Sequence, residues 1–185
     1  MPVLILMLIV VALPVVWLIG TYNGLVRLRN HCRESWAGID TELKRRYDLI
    51  PNLVATVKGY ATHEQDTLAR VTDARTRAVA STGSPASQAR DENVLVGSLR
   101  QLFAVSERYP DLKASESFLK LQTELANTED RLQAARRFYN ANVRDLNTRI
   151  EVFPSNLIAS LFGFTRAEYF EIEDSGVRQP PPVST

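Results

Sequence analysis

The chain opens on an unbroken apolar run. From Pro2 to Gly20 no side chain is charged, and Val3 to Val11 leads through Pro14 to Trp17, Leu18 and Ile19. About 19 residues of helix, at about 1.5 Å of rise each, reach roughly 28 Å, close to the roughly 30 Å hydrocarbon core of a bilayer. The run predicts a transmembrane anchor over residues 1–20, slightly bent at Pro14, with Trp17 and Tyr22 at the interfacial belt. Beyond it, Leu25, Leu28, Cys32, Trp36 (or Ser35), Ile39, Leu43, Tyr47 and Ile50 alternate at spacings of three and four, which lines one face of a helix. Only the Gly20 to Gly24 neighbourhood separates this face from the apolar run, so one helix is expected to pass from lipid into the soluble part.

Pro51 disfavours helical geometry at Ile50 and fits the first turn of a new helix, which predicts a tight reversal around Tyr47 to Asn52. A second helix follows through Val54, Val57, Ala61, Glu64, Leu68, Val71 and Ala78, with the Glu64 carboxylate in a core-facing slot. Ser81 to Ser87, containing Gly83 and Pro85, reads as a loop, and a shorter third helix runs through Val94, Leu99 and Val105 to a stop near Tyr109-Pro110-Asp111. The clearest periodicity comes next. Phe118, Leu125, Leu132, Tyr139, Leu146 and Phe153 recur at heptad spacing, with a companion row Leu121, Thr128, Ala135, Val143 and Ile150 that drifts by one position, as a straight helix does against a coiled-coil repeat. About 38 residues ending before Pro154 would span roughly 55 Å. The expected fold class is all-α: an N-terminal transmembrane helix leading into an elongated antiparallel bundle of about four helices over residues 21–173. No run reads as a firm strand, although Tyr169 to Ile172 could be extended, and the Pro-rich tail 174–185 is expected to be disordered.

Composition narrows the function classes. A net charge of +1, from 22 basic and 21 acidic residues, gives no global field toward nucleic acid, so no nucleic-acid partner is expected. The single cysteine, Cys32, excludes an intrachain disulfide framework and reads as a core residue. No basic n-region precedes the apolar run and no small-residue cleavage pattern follows it, which favours an uncleaved anchor over a signal peptide. Arg27, Arg29 and Arg33 behind the run place the soluble part in the cytoplasm by the positive-inside rule.

Catalytic and metal motifs are mostly missing from the sequence. His63-Glu64 begins like a zinc-protease motif, but Thr67 stands where the second histidine is needed. Neither His31 nor His63 lies three residues after a glutamate, so the di-iron bundle pattern is absent, and the 8 glycines form no phosphate loop. Adjacent His31 and Cys32 point about 100° apart on a helix and make no nucleophile-base pair. No catalytic residue, metal or cofactor is expected. Two clusters remain. Lys44, Arg45 and Arg46, with Tyr47, Asp48 and Asn52, form a candidate interaction region at the expected hairpin tip, against the plainer reading of a solvated face with an Asp40 to Lys44 pair. Glu64 needs a partner if it faces a core, and Arg136 or Arg137 is the natural choice, giving a candidate buried polar network of Glu64 and Arg136.

The block Trp36-Ala37-Gly38-Ile39-Asp40, then Leu43 through Pro51-Asn52-Leu53-Val54, then Val57-Lys58-Gly59-Tyr60-Ala61 with His63-Glu64, closely resembles the bacterial LemA family. The resemblance continues at Tyr109-Pro110-Asp111-Leu112, Leu121-Gln122, Ala135-Arg136, Tyr139-Asn140, Phe153-Pro154 and Gly163-Phe164. It implies a helical bundle tethered by one transmembrane helix in a bacterial membrane, non-enzymatic, with associations to membrane proteases and to envelope organisation. It supplies no catalytic residues. The expected function is thus a membrane-anchored scaffold or interaction protein of the bacterial envelope, in the inner membrane. Its partners would be the bilayer, through residues 1–20, and a membrane or envelope protein, with homo-oligomerisation left open. The alternative is a ligand-sensing or enzymatic bundle with an interhelical polar groove around Glu64 and His63.

Overall fold

A computed structural model describes residues 2–172, without the side chains of residues 4–6. The expected tail 174–185 lies outside the described residues. Among the described residues six helices follow one another: α1 (Pro2–Tyr60), α2 (Gln65–Ala80), α3 (Pro85–Ser106), α4 (Pro110–Lys113), α5 (Glu116–Glu151) and α6 (Ser155–Leu161). No strand occurs among the described residues, and Tyr169 to Ile172 has no regular structure. The class is all-α, as the periodicities predict.

The predicted reversal at Tyr47 to Asn52 is not there. α1 continues through Pro51 for 59 residues, and the chain first turns at 61–64. A proline inside a helix leaves the carbonyl four residues earlier without its amide partner. Here that carbonyl belongs to Tyr47, and the Arg75 Nε of α2 donates to it at 2.7 Å. The break that Pro51 should cause is thereby repaired from another helix, and Lys44 to Asn52 is mid-helix rather than a hairpin tip. The third helix is longer than expected, because Pro85 sits in its first turn, where its missing N–H costs nothing.

The described residues separate into two compact units, one of residues 2–41 with Leu132–Tyr169, the other of Glu42–Arg131 with residues 170–172. In the second, Ile50, Leu53, Val57 and Ala61 of the α1 end pack with Leu68, Val71, Ala74 and Ala78 of α2, Leu95, Leu99 and Leu102 of α3, and Phe118 and Leu125 of α5. Each helix contributes one stripe at spacings of three and four, which is what lets the four faces close on a common core.

In the first unit the heptad row continues inward: Leu132, Tyr139 and Leu146 are buried with Leu25, Cys32 and Ile39 of α1, whereas Phe153 is 75% exposed. The Trp36 ring stands edge-on to Tyr139, centroids 5.2 Å apart. Asn147 holds the segment after α6 by a two-way pair, its Nδ2 donating to the Ala167 carbonyl and its Oδ1 accepting from the Ala167 amide, both at 2.9 Å. Along the start of α1, Val10, Val11, Leu13, Val15, Val16 and Ile19 are all exposed. An apolar rod that packs against nothing is stable in lipid and not in water. It is the one helix among the described residues long and apolar enough to cross a membrane.

Candidate functional site

Arg46 lies in the α1 stripe Ile39, Leu43, Arg46, Ile50, Leu53, and the inner face of that helix is covered, so its guanidinium is taken out of water with only 2% of the residue exposed. A cation in that position needs anions. It finds two: Nη1 stands 3.3 Å from Glu92 Oε2 of α3, and Nη2 stands 3.3 Å from Glu129 Oε2 of α5. Glu92 is as buried as Arg46, its side chain 1% exposed, and its Oε1 accepts a hydrogen bond from the Tyr47 hydroxyl. Both guanidinium contacts are ion pairs without the alignment of good hydrogen bonds. Burial pushes the Glu92 carboxyl above its ordinary value; Arg46 and the Tyr47 hydroxyl pull it back, and Glu129 and Asp91 push it further up. Desolvation therefore outweighs the pairing. Arg46 and Glu92 form a buried pair, and Glu129, its side chain 38% exposed, meets the guanidinium from the edge. A pair of this kind adds little net stability but fixes which residues of α1, α3 and α5 face one another.

The six-residue cluster chosen from sequence divides in two. Arg46 and Tyr47 turn inward to Glu92, while Lys44, Arg45, Asp48 and Asn52 are exposed. Lys44, Asp48 and Asn52 fall four residues apart, on one stripe of α1 with Arg45 beside it. Arg45 Nε lies 3.8 Å from Glu42.

Glu64 is half-buried at the N-terminus of α2 rather than in a core slot. Its partner is not Arg136. Arg108 Nη2 reaches Glu64 Oε1 at 2.9 Å, and the Tyr109 hydroxyl donates to the same oxygen at 3.1 Å. The turn after α1 is thus tied to the corner between α3 and α4, whereas Arg136 belongs to the other unit. The expected second helix began at Pro51 and put Glu64 inside its stripe; α2 instead begins at Gln65, so Glu64 stands just before it and its side chain faces the adjacent turn. Desolvation first, then the bond to Glu64, raises the Tyr109 phenol above its ordinary value. His63 is exposed, and no group of three or more His, Cys, Asp or Glu among the described residues is placed to hold a metal.

Glu92, Glu129, Arg75 and Arg108 were missed from sequence. Glu92 carried a signal, since it sits in the row Ala89, Glu92, Leu95, Leu99, Leu102, where a carboxylate interrupts an apolar stripe. Arg46 carried the same one, masked by the choice of Tyr47 for the α1 row.

Together, an exposed apolar helix and an all-helical body with a buried Arg46–Glu92 ion pair define a membrane-associated helical protein. The sequence model of the LemA family matches residues 35–184, and the chain belongs to that family. Its relatives include Magnetosome protein MamQ 2 of Paramagnetospirillum magneticum, 30% identical, with 86% of this chain and 68% of the relative covered. Magnetosome protein MamQ of Magnetospirillum gryphiswaldense is 26% identical with the same coverages, and Protein LemA of Metamycoplasma hominis is 28% identical over 84% of this chain and 71% of the relative.

Proposed function

We propose that this chain is a non-enzymatic, single-pass scaffold or interaction protein of the bacterial envelope. Residues 1–20 cross the cytoplasmic membrane, and the helices beyond them form an elongated antiparallel bundle on the cytoplasmic side, as Arg27, Arg29 and Arg33 favour. The stripe Lys44, Arg45, Asp48 and Asn52 presents two cations, a carboxylate and an amide to a membrane or envelope protein, with a membrane protease as the leading partner class. The observation that carries this reading is the division of one short block: Arg46 and Tyr47 lock the helix to α3, and their neighbours are thereby held outward in fixed register. A surface of that kind is pre-organised, which lowers the entropy lost on binding. The magnetosome proteins among the relatives fit a role at a membrane compartment.

The test is a photo-crosslinker placed at Asn52 in cells, with and without Lys44→Glu and Arg45→Glu. The expected result is a discrete crosslinked membrane protein that disappears on charge reversal. An unchanged crosslinking pattern would remove this stripe as the contact. The rival reading, a ligand groove at Glu64, has less support, since the Glu64 Oε1 is already engaged by Arg108 and Tyr109.

A further inference from the structure

The corner where α5 gives way to α6 is apolar on its outside. Ser155, Ile158 and Ala159 form the buried face of α6. A solvated helix would carry polar residues opposite them. Instead Leu157 and Leu161, one turn apart, are 59% and 71% exposed, and Val152, Phe153 and Phe162 beside them are exposed by 49%, 75% and 48%. Five large apolar side chains within eleven residues are thus left exposed at this corner, a concentration that soluble monomers rarely leave bare.

Its position says what covers it. The Phe162 ring packs on Tyr22 with centroids 4.8 Å apart, and Phe164 packs on the same ring at 5.8 Å. Gly163, with φ +67, allows the reversal that brings both phenylalanines to one side. Tyr22 lies only two residues past Gly20, roughly 3 Å of helix rise beyond the end of the apolar run. The end of α6 is therefore at the depth where the anchor leaves the hydrocarbon, and its bare face continues the apolar surface of the anchor. Basic groups border it: the Arg29 guanidinium sits 5.0 Å from the Phe164 ring centroid, Arg27 is exposed nearby in sequence, and Arg166 pairs with Glu151 at 2.9 Å. Apolar residues rimmed by arginine suit the boundary between acyl chains and anionic headgroups.

We infer that the α5–α6 corner is a second membrane contact, in which Phe153, Leu157, Leu161 and Phe162 enter the lipid interface beside the anchor and fix the tilt at which the helical body leaves the bilayer. This inference rests on the reading of residues 1–20 as a membrane span.

The test uses the full chain carrying Cys32→Ala, with single cysteines introduced as Leu157→Cys, Leu161→Cys, Val16→Cys or Glu34→Cys and labelled with an environment-sensitive fluorophore. Each is reconstituted into phosphatidylcholine–phosphatidylglycerol vesicles with or without bromine at a shallow acyl position, after circular dichroism shows unchanged helicity. Val16 reports the anchor, and Glu34, roughly 21 Å of helix beyond Gly20, reports water. The expected result is bromine quenching and a blue-shifted emission at positions 157 and 161, as at 16, with none at 34. Quenching at 16 but not at 157 or 161 would overturn the inference while leaving the anchor intact. A blue shift at 157 and 161 without quenching would also overturn it, since a second copy of the chain would then cover the patch. Absence of quenching at 16 would remove the anchor itself.

Discussion

Pro51 in the middle of α1 offers a sharp test of how this fold is held. An interior proline ordinarily costs about 3 kcal/mol, partly through the carbonyl it orphans. At this site Arg75 Nε occupies the Tyr47 carbonyl at 2.7 Å, so much of that cost is already offset. Arg75→Met keeps the aliphatic stem and deletes the donor. A partly buried acceptor left unsatisfied costs about 1–3 kcal/mol, and that is the destabilisation expected for Arg75→Met in the native background. With Pro51→Ala the residue at 51 regains an amide that can reach the same carbonyl, so Arg75→Met should then cost less by about 1 kcal/mol or more. Pro51→Ala alone should stabilise by clearly less than the about 3 kcal/mol of an uncompensated proline. The measurement is urea denaturation of the full chain in mild detergent, followed by helical circular dichroism. With a denaturant slope of about 1–3 kcal/mol per molar, a 1 kcal/mol coupling moves the midpoint by about 0.3–1 M. Equal losses for Arg75→Met in the two backgrounds would refute the idea that Arg75 carries the helix through Pro51.

Four further outcomes follow from the charged and phenolic side chains. Arg46→Met leaves Glu92 with no facing cation and should cost about 3–5 kcal/mol, much of it recovered by adding Glu92→Gln, as read from the same denaturation curves. Because Glu92 titrates above its ordinary 4.5, its contribution is fully present below that pH and declines as pH rises through the folded value. Glu92→Gln should thus gain on the native chain as pH rises from below 4.5, and a change in the opposite direction would contradict the burial argument. Tyr139, pushed up to about 12 by burial, then by Cys32 and Glu168, should be the last phenol to ionise in an ultraviolet titration; its stabilisation holds below 10 and falls as pH rises toward 12. Tyr139→Phe should remove that final step. Arg108→Ala breaks a pair whose arginine is 63% exposed, so its cost should stay below about 1 kcal/mol; a larger loss in thermal melts would show that the Glu64 tie holds more than the turn after α1.

Residues alone determined what depends on neighbours along the chain. The unbroken apolar run before Gly20, the periodic inward stripe of α1 and the heptad row Phe118 to Leu146 are patterns within single segments, and such patterns survive whatever the helix packs against. The all-α class followed from them, and the resemblance to the family rested on motif blocks such as Leu43 through Pro51-Asn52-Leu53-Val54 and Tyr109-Pro110-Asp111-Leu112. What the sequence could not decide was pairing between distant segments. Whether Pro51 breaks a helix depends on Arg75, 24 positions on; whether Glu64 meets α5 or the α3–α4 corner depends on where a turn falls; and Arg46 becomes an internal cation only because Glu92 and Glu129 arrive opposite it. The physical reason is the same in each case. Local propensity is a preference of about 1–3 kcal/mol, and one well-placed hydrogen bond or ion from elsewhere in the chain is enough to reverse it.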